Sequence, residues 1–180
     1  FFKLMKKAAI QGDVDAQVLV GWMYLEGDGI PKNTEKAFSY LQQGAQAGHV
    51  SAMRGLGEMY RDGNGVAQDG AKALDWLRQA DEKGEPVAPV LIGELYLMGR
   101  IIPKDLIQAR AFFKKGAENG IPKGQFLYGL MCARGDGGVA DREAALKWIQ
   151  MAVQQRYPKA SEILSLLEGD EFPLVINPFR

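Results

Sequence analysis

Among its 180 residues the chain has one histidine, His49, and one cysteine, Cys132, so most nucleophilic and metal chemistry would have to pass through these two. A Ser–His–Asp set needs His49 as its base, and no serine stands in the glycine-flanked elbow that exposes such a nucleophile. His49 recurs in register with Asp13, Glu85, Ile121 and Tyr157. A position that variable reads as facing solvent rather than as a general base. Cys132 takes a tyrosine position on a helical face and reads as a small buried hydrophobe, not a thiolate. One cysteine also excludes an internal disulfide framework and any cysteine-based zinc site. The acid pairs Asp81/Glu82 and Asp170/Glu171 lie at a helix end and in the C-terminal stretch. Neither has an apolar pocket to split its two pKa values for acid–base work. Gly27-Asp28-Gly29, Gly63-Asn64-Gly65 and Gly135-Asp136-Gly137 are glycine-rich enough to cradle a phosphate. Each follows a helical pattern rather than the strand such a loop requires, so they read as turns. We expect no catalytic residue, no metal site and no cofactor.

Bulk properties point the same way. Lys+Arg and Asp+Glu both total 22, giving zero formal net charge, which argues against a basic footprint for nucleic acid. With 47% apolar residues the chain can bury a sizeable core, yet no run reaches the roughly 18 apolar residues of a membrane span.

What positions these residues is a repeat. Gly12, Gly48, Gly84 and Gly120 stand 36 residues apart, with Arg156 in the next place. The same step aligns Ala16, Ala52, Ala88, Gly124 and Ala160, and likewise Gly21, Gly57, Gly93 and Gly129. Gly27, Gly63, Gly99 and Gly135 form a further column, as do Ala37, Ala73, Ala109 and Ala145 and the aromatics Tyr40, Trp76, Phe112 and Trp148. Such a period marks a repeat architecture. Each unit carries two helical faces, the first running Ala16, Val20, Met23 and Gly27. Asn33, Asp69, Asp105 and Asp141 open the second helix as N-caps, and Gly48 closes it. Pro86, Pro122 and Pro158 are expected to start later first helices, while Pro89 falls four positions in and strains its turn. The aromatic column is expected to fill the space between neighbouring hairpins. We expect ten helices in one solenoid over 1–168: a partial repeat at 1–11, four full repeats at 12–155 and a terminal helix at 158–168. The chain thus opens mid-repeat, which suggests a cut or processed start. An extended tail, 169–180, could fold its Phe172, Leu174, Val175, Ile176 and Phe179 onto the last helix or dock them on a neighbour.

The unit reads most fully as Ala52…Leu56-Gly57-Glu58-Met59-Tyr60, Gly63-Asn64-Gly65-Val66, Asp69, Ala73 and Trp76. This closely resembles the Sel1-like repeat family, short relatives of the tetratricopeptide repeat. The resemblance implies an all-α fold, an α/α solenoid wound as a right-handed superhelix of 36-residue hairpins, and a non-enzymatic role as adaptor or scaffold. Family members also include toxin-neutralising and host-interacting proteins, which remain as alternatives. The resemblance favours a bacterial, extracytoplasmic protein without fixing the compartment. Arg100-Ile101-Ile102, where a second glycine belongs, and Cys132 in the tyrosine column depart from the pattern as tolerated drift. By the same resemblance, the second stripe of the first helices lines a concave groove for a peptide or helix of a partner protein. That stripe comprises Val18, Trp22 and Leu25, then Arg54, Glu58 and Arg61, then Val90, Glu94 and Leu97, and finally Phe126, Leu130 and Arg134. The charged Arg54, Glu58, Arg61 and Glu94 are the members expected to be exposed.

Overall fold

The computed structural model describes residues 1–169, and among them it contains ten α-helices and no strand. In chain order they are α1 (Phe2–Ile10), α2 (Val14–Glu26), α3 (Thr34–Gln46), α4 (Val50–Asp62), α5 (Gly70–Glu82), α6 (Ala88–Met98), α7 (Leu106–Glu118), α8 (Pro122–Arg134), α9 (Arg142–Gln154) and α10 (Ala160–Glu168). Even-numbered helices are the first of each repeat and odd-numbered ones the second. The fold is an all-α stack of helical hairpins, and the chain divides into two compact units, Phe1–Ala88 and Pro89 onward. The residues from Asp170 to the C-terminus, with the apolar cluster expected to dock, lie outside the described ones.

The caps fall where the repeat put them. Asn33, Asp69, Asp105 and Asp141 accept hydrogen bonds at 2.9–3.0 Å from the first-turn amides of Lys36, Lys72, Gln108 and Ala144. Each acceptor satisfies a donor that the helix start leaves free. For Asp69, the amide of Lys72 is the main influence lowering the carboxyl pKa below its ordinary value. At the other end, Gly27, Gly63 and Gly135 close α2, α4 and α8 in the left-handed region.

In the first unit the hairpins close on Val20, Leu41, Leu56, Met59 and Leu77, all at most 1% exposed. The small column makes this possible: a Cβ on Gly57 would lie 2.6 Å from Leu77 Cγ, and one on Gly21 would lie 2.9 Å from Leu41 Cγ. The second unit repeats the device. Phe113 and Ile149 are fully buried, and a Cβ on Gly93 or Gly129 would meet them within 2.8 Å.

Three expectations need correction. The aromatic column does not fill the gap between hairpins. Tyr40 stacks on Tyr24 and Phe112 on Tyr96, at 6.0 and 6.1 Å between centroids, each within its own hairpin. Pro89 does not strain a fourth position either, because α6 begins at Ala88 and the proline falls in its first turn, where a missing N–H costs nothing. Glu85 makes the late start possible: its Oε2 accepts from the Val87 and Ala88 amides at 2.8 and 2.7 Å. Pro86 and Pro158 accordingly precede their helices, and only Pro122 opens one.

Candidate functional site

The first helices of the first unit carry a connected polar cluster. Trp22 on α2 is half-buried, and its indole Nε1 donates to Ser51 Oγ on α4 at 3.1 Å. The Arg54 guanidinium lies 4.8 Å over the Trp22 ring, an attraction between cation and ring face. Arg54 also pairs with Glu58 one turn later on α4, at 2.5 Å, and its Nε stands 3.0 Å from Glu85 Oε1. Glu85 is itself 8% exposed and spends its other oxygen on the start of α6. A single guanidinium thus ties together an indole and two carboxylates from three successive repeats. Arg61, a turn beyond Glu58, is held by a fork of bonds to Asp62 at 2.7 and 2.8 Å.

The second unit makes the corresponding ties with different chemistry. Glu94 on α6 is 3% exposed and meets Lys123 on α8 at 2.5 Å. Phe126 lies 5.0 Å from Tyr157, centroid to centroid. Burial first, and then the charge of Glu94, raise the Tyr157 hydroxyl above its ordinary pKa. Arg134 pairs with Asp136 at 3.1 Å, and Leu97 is half-buried beside Met98, which is 40% exposed.

This geometry divides the twelve expected groove residues. Trp22, Arg54, Glu58, Arg61, Leu97 and Arg134 keep partial exposure. Val18, Leu25, Val90, Phe126 and Leu130 are between 1% and 8% exposed, so they are core rather than open surface. The expectation that Glu94 is exposed fails as well. The physical reason is that a first helix inside a stack is flanked by the next first helix as well as by its own partner. The second stripe therefore faces protein for most of its width. His49, expected in solvent, is also drawn in: its side chain is 28% exposed, with Nε2 3.5 Å from Asp15 Oδ1.

A pairing rule between repeats was missed, and it was visible in the sequence. Trp22/Ser51 and Glu94/Lys123 are each 29 residues apart, and Arg54/Glu85 and Phe126/Tyr157 are each 31 apart. In these four pairs the partners are complementary: donor with acceptor, acid with base, ring with ring. Cys132 follows the same logic rather than drifting. It is fully buried, and Arg110 Nη2 approaches its Sγ to 3.6 Å while donating to the Val139 carbonyl at 2.9 Å. Phe38 and Tyr60 form the corresponding pair in the first unit, ring to ring at 5.7 Å. With no tyrosine at 132, Tyr128 one turn earlier supplies the ring that meets Trp148, also at 5.7 Å. Burial and then a bond with Cys132 raise the Tyr128 hydroxyl's pKa.

Among the described residues no three His, Cys, Asp or Glu side chains gather where a metal could bind. No described helix is long and apolar enough to cross a membrane. The family model of the Sel1 repeat matches residues 2–13, 14–49, 50–84, 90–121 and 122–157. No curated protein matches. Among solved structures the chain is similar to a Sel1 repeat protein from Oxalobacter formigenes, at 30% identity and a TM-score of 0.86. That match covers 98% of this chain and 70% of the other. It is also similar to a protective antigen of uropathogenic Escherichia coli strains displaying an SLR fold, at 31% identity and a TM-score of 0.79. There the match covers 86% of this chain but only 33% of the antigen. An immunity protein from Pseudomonas aeruginosa shares the fold at 15% identity and a TM-score of 0.53, over 85% of this chain and 72% of that one.

Proposed function

The chain belongs to the Sel1 repeat family, whose members generally mediate protein–protein interaction and are typically non-catalytic, and from that premise we propose a protein-binding scaffold that works through its first-helix face. The observation that carries the reading is the pre-organised cluster of Trp22, Arg54 and Glu58. Aromatic and arginine side chains held rigid before binding lose little entropy on contact, and they dominate the energetics of interfaces. Arg61 extends that surface in the first unit, and Leu97 with Arg134 offers a second, more apolar stretch in the other. In the first unit a partner segment, helical or extended, would lie with an apolar contact at Trp22 and an ionic one at Arg61. The buried members of the stripe support this surface from beneath and do not touch the partner.

Affinity capture from source-cell lysate tests the reading, with wild type run beside Trp22→Ala/Arg61→Glu. Val18→Ala serves as the control, because it loses buried packing without changing the surface. The reading expects one protein that wild type and Val18→Ala both retain and the double variant loses. Equal capture by all three would overturn it. Toxin neutralisation is the narrower alternative within this proposal. The likeness to an immunity protein supports only the fold, so the direct check is rescue of cells expressing the captured partner.

A further inference from the structure

Asparagine can be attacked by the backbone nitrogen of the residue that follows it, so the follower decides which asparagines react. Asn33 precedes Thr34, whose branched Cβ crowds the approach, and Asn177 precedes Pro178, which has no amide proton to give up. Asn64 and Asn119 precede Gly65 and Gly120, which have no Cβ to obstruct it. The structure separates these two steps. The Gly120 amide donates to the Ala117 carbonyl at 3.0 Å, where α7 ends, so its proton is held. Asn64 lies in the turn between α4 and α5, half-buried, with Gly65 exposed. Among the described residues the Gly65 amide donates to no group and the Asn64 side chain makes no hydrogen bond.

The turn is tied on both sides of this open nitrogen. The Gly63 and Asn64 amides donate to the Met59 carbonyl at 2.8 and 3.0 Å. Beyond it, Gln68 Nε2 donates to the Arg61 carbonyl at 2.7 Å and the Asp69 amide to the Tyr60 carbonyl at 2.9 Å. Gly65 itself, at φ 71°, lies so close to the start of α3 that a Cβ there would strike the Thr34 carbonyl oxygen. The backbone of the turn therefore has no room for an added atom. An ordinary carboxylate at position 64 is another matter, because Asp28 and Asp136 hold the same column of the repeat.

We propose that Asn64 is a modification site, converted in the folded chain through a cyclic succinimide to aspartate and isoaspartate, and that the isoaspartate form loosens the turn between α4 and α5. The Gly65 nitrogen bonds to Asn64 Cγ as the Cγ–Nδ2 bond breaks, and Nδ2 leaves as ammonia with the proton that Gly65 gives up. Water then opens the ring. Attack at Cγ gives aspartate; attack at the main-chain carbonyl carbon gives isoaspartate, which adds a methylene to the backbone. The net change is ammonia exchanged for water, with no oxidant or reductant. The site does not depend on the partner-binding reading. The test is to age the full chain in mildly alkaline buffer and digest it with trypsin. Peptides 62–72 and 116–123 are then followed by mass spectrometry, with chromatography to resolve the two products. Denatured chain should convert at both positions at similar rates. Folded chain should convert at Asn64 roughly tenfold faster than at Asn119, the factor imposed when one hydrogen bond must first open. The aged chain should melt lower in proportion to its isoaspartate. Asn64→Gln, which closes such a ring far more slowly, should keep its melting through the same ageing, and Asn64→Asp should melt like fresh wild type. Folded chain that converts at Asn64 no faster than at Asn119 would overturn the proposal. So would aged wild type that melts unchanged, or a fall in melting shared equally by Asn64→Gln.

Discussion

Arg156 holds a left-handed backbone, φ 56°, in the column where Gly12, Gly48, Gly84 and Gly120 take φ between 79° and 93°. An L side chain there costs roughly 1–2 kcal/mol, of which glycine would return all but the roughly 0.5–1 kcal/mol of its larger unfolded-state entropy. Arg156→Gly should therefore stabilise the chain by about 0.5–1 kcal/mol, read from equilibrium urea unfolding. Glu85 is the opposite case, a nearly buried carboxylate that satisfies two amides and faces Arg54. Glu85→Ala leaves both amides without that acceptor and takes from Arg54 one of its two carboxylates, and should cost about 2–4 kcal/mol, with Glu85→Gln milder because it keeps an acceptor for the amides. Tyr157 ties stability to alkaline pH. Its folded-state pKa lies above the ordinary 10.0, so the folded chain holds the proton more tightly than the unfolded one. That contribution is complete below the unfolded pKa and is lost as pH rises through it toward the folded value. Tyr157→Phe should flatten the fall in melting temperature above that point, with Tyr128 left to supply the remaining slope.

Helices were legible to the extent that their causes are local. The Asn or Asp caps, the closing glycines and the 36-residue spacing each act within a few residues, and all reappear at the expected places. The start of α6 was not legible, because the acceptor for its first amides is Glu85, a side chain that no cap pattern singles out. The depth of the second stripe was hidden for a related reason. Helical spacing identifies a face but not what lies against it, so Phe126 and Leu130 looked like groove and are core. Pairs 29 and 31 residues apart would have revealed the neighbour. The small column gives the sharpest test at this scale. Gly57→Ala puts a Cβ 2.6 Å from Leu77 Cγ and should cost roughly 1–3 kcal/mol in chemical denaturation, despite alanine's better helix propensity.

For the molecule as a whole, the repeat accounts for both stability and surface. One hairpin cannot bury its two faces, so neighbouring hairpins share a core, and the variable columns then choose which neighbour fits. Glu85 and Glu94 serve that choice, which leaves Trp22, Arg54 and Arg61 in the first unit, and Leu97 and Arg134 in the second, as the partly exposed side chains that a partner could meet. The central claim is that the partner lies on the first-helix face. A photoreactive residue placed at Arg61 on that face, and separately at Gln42 on the exposed side of α3, tests it directly by cross-linking in source cells. The account predicts a discrete adduct with one protein from position 61 and none from position 42. An adduct from 42 alone, or none from either position, would contradict it.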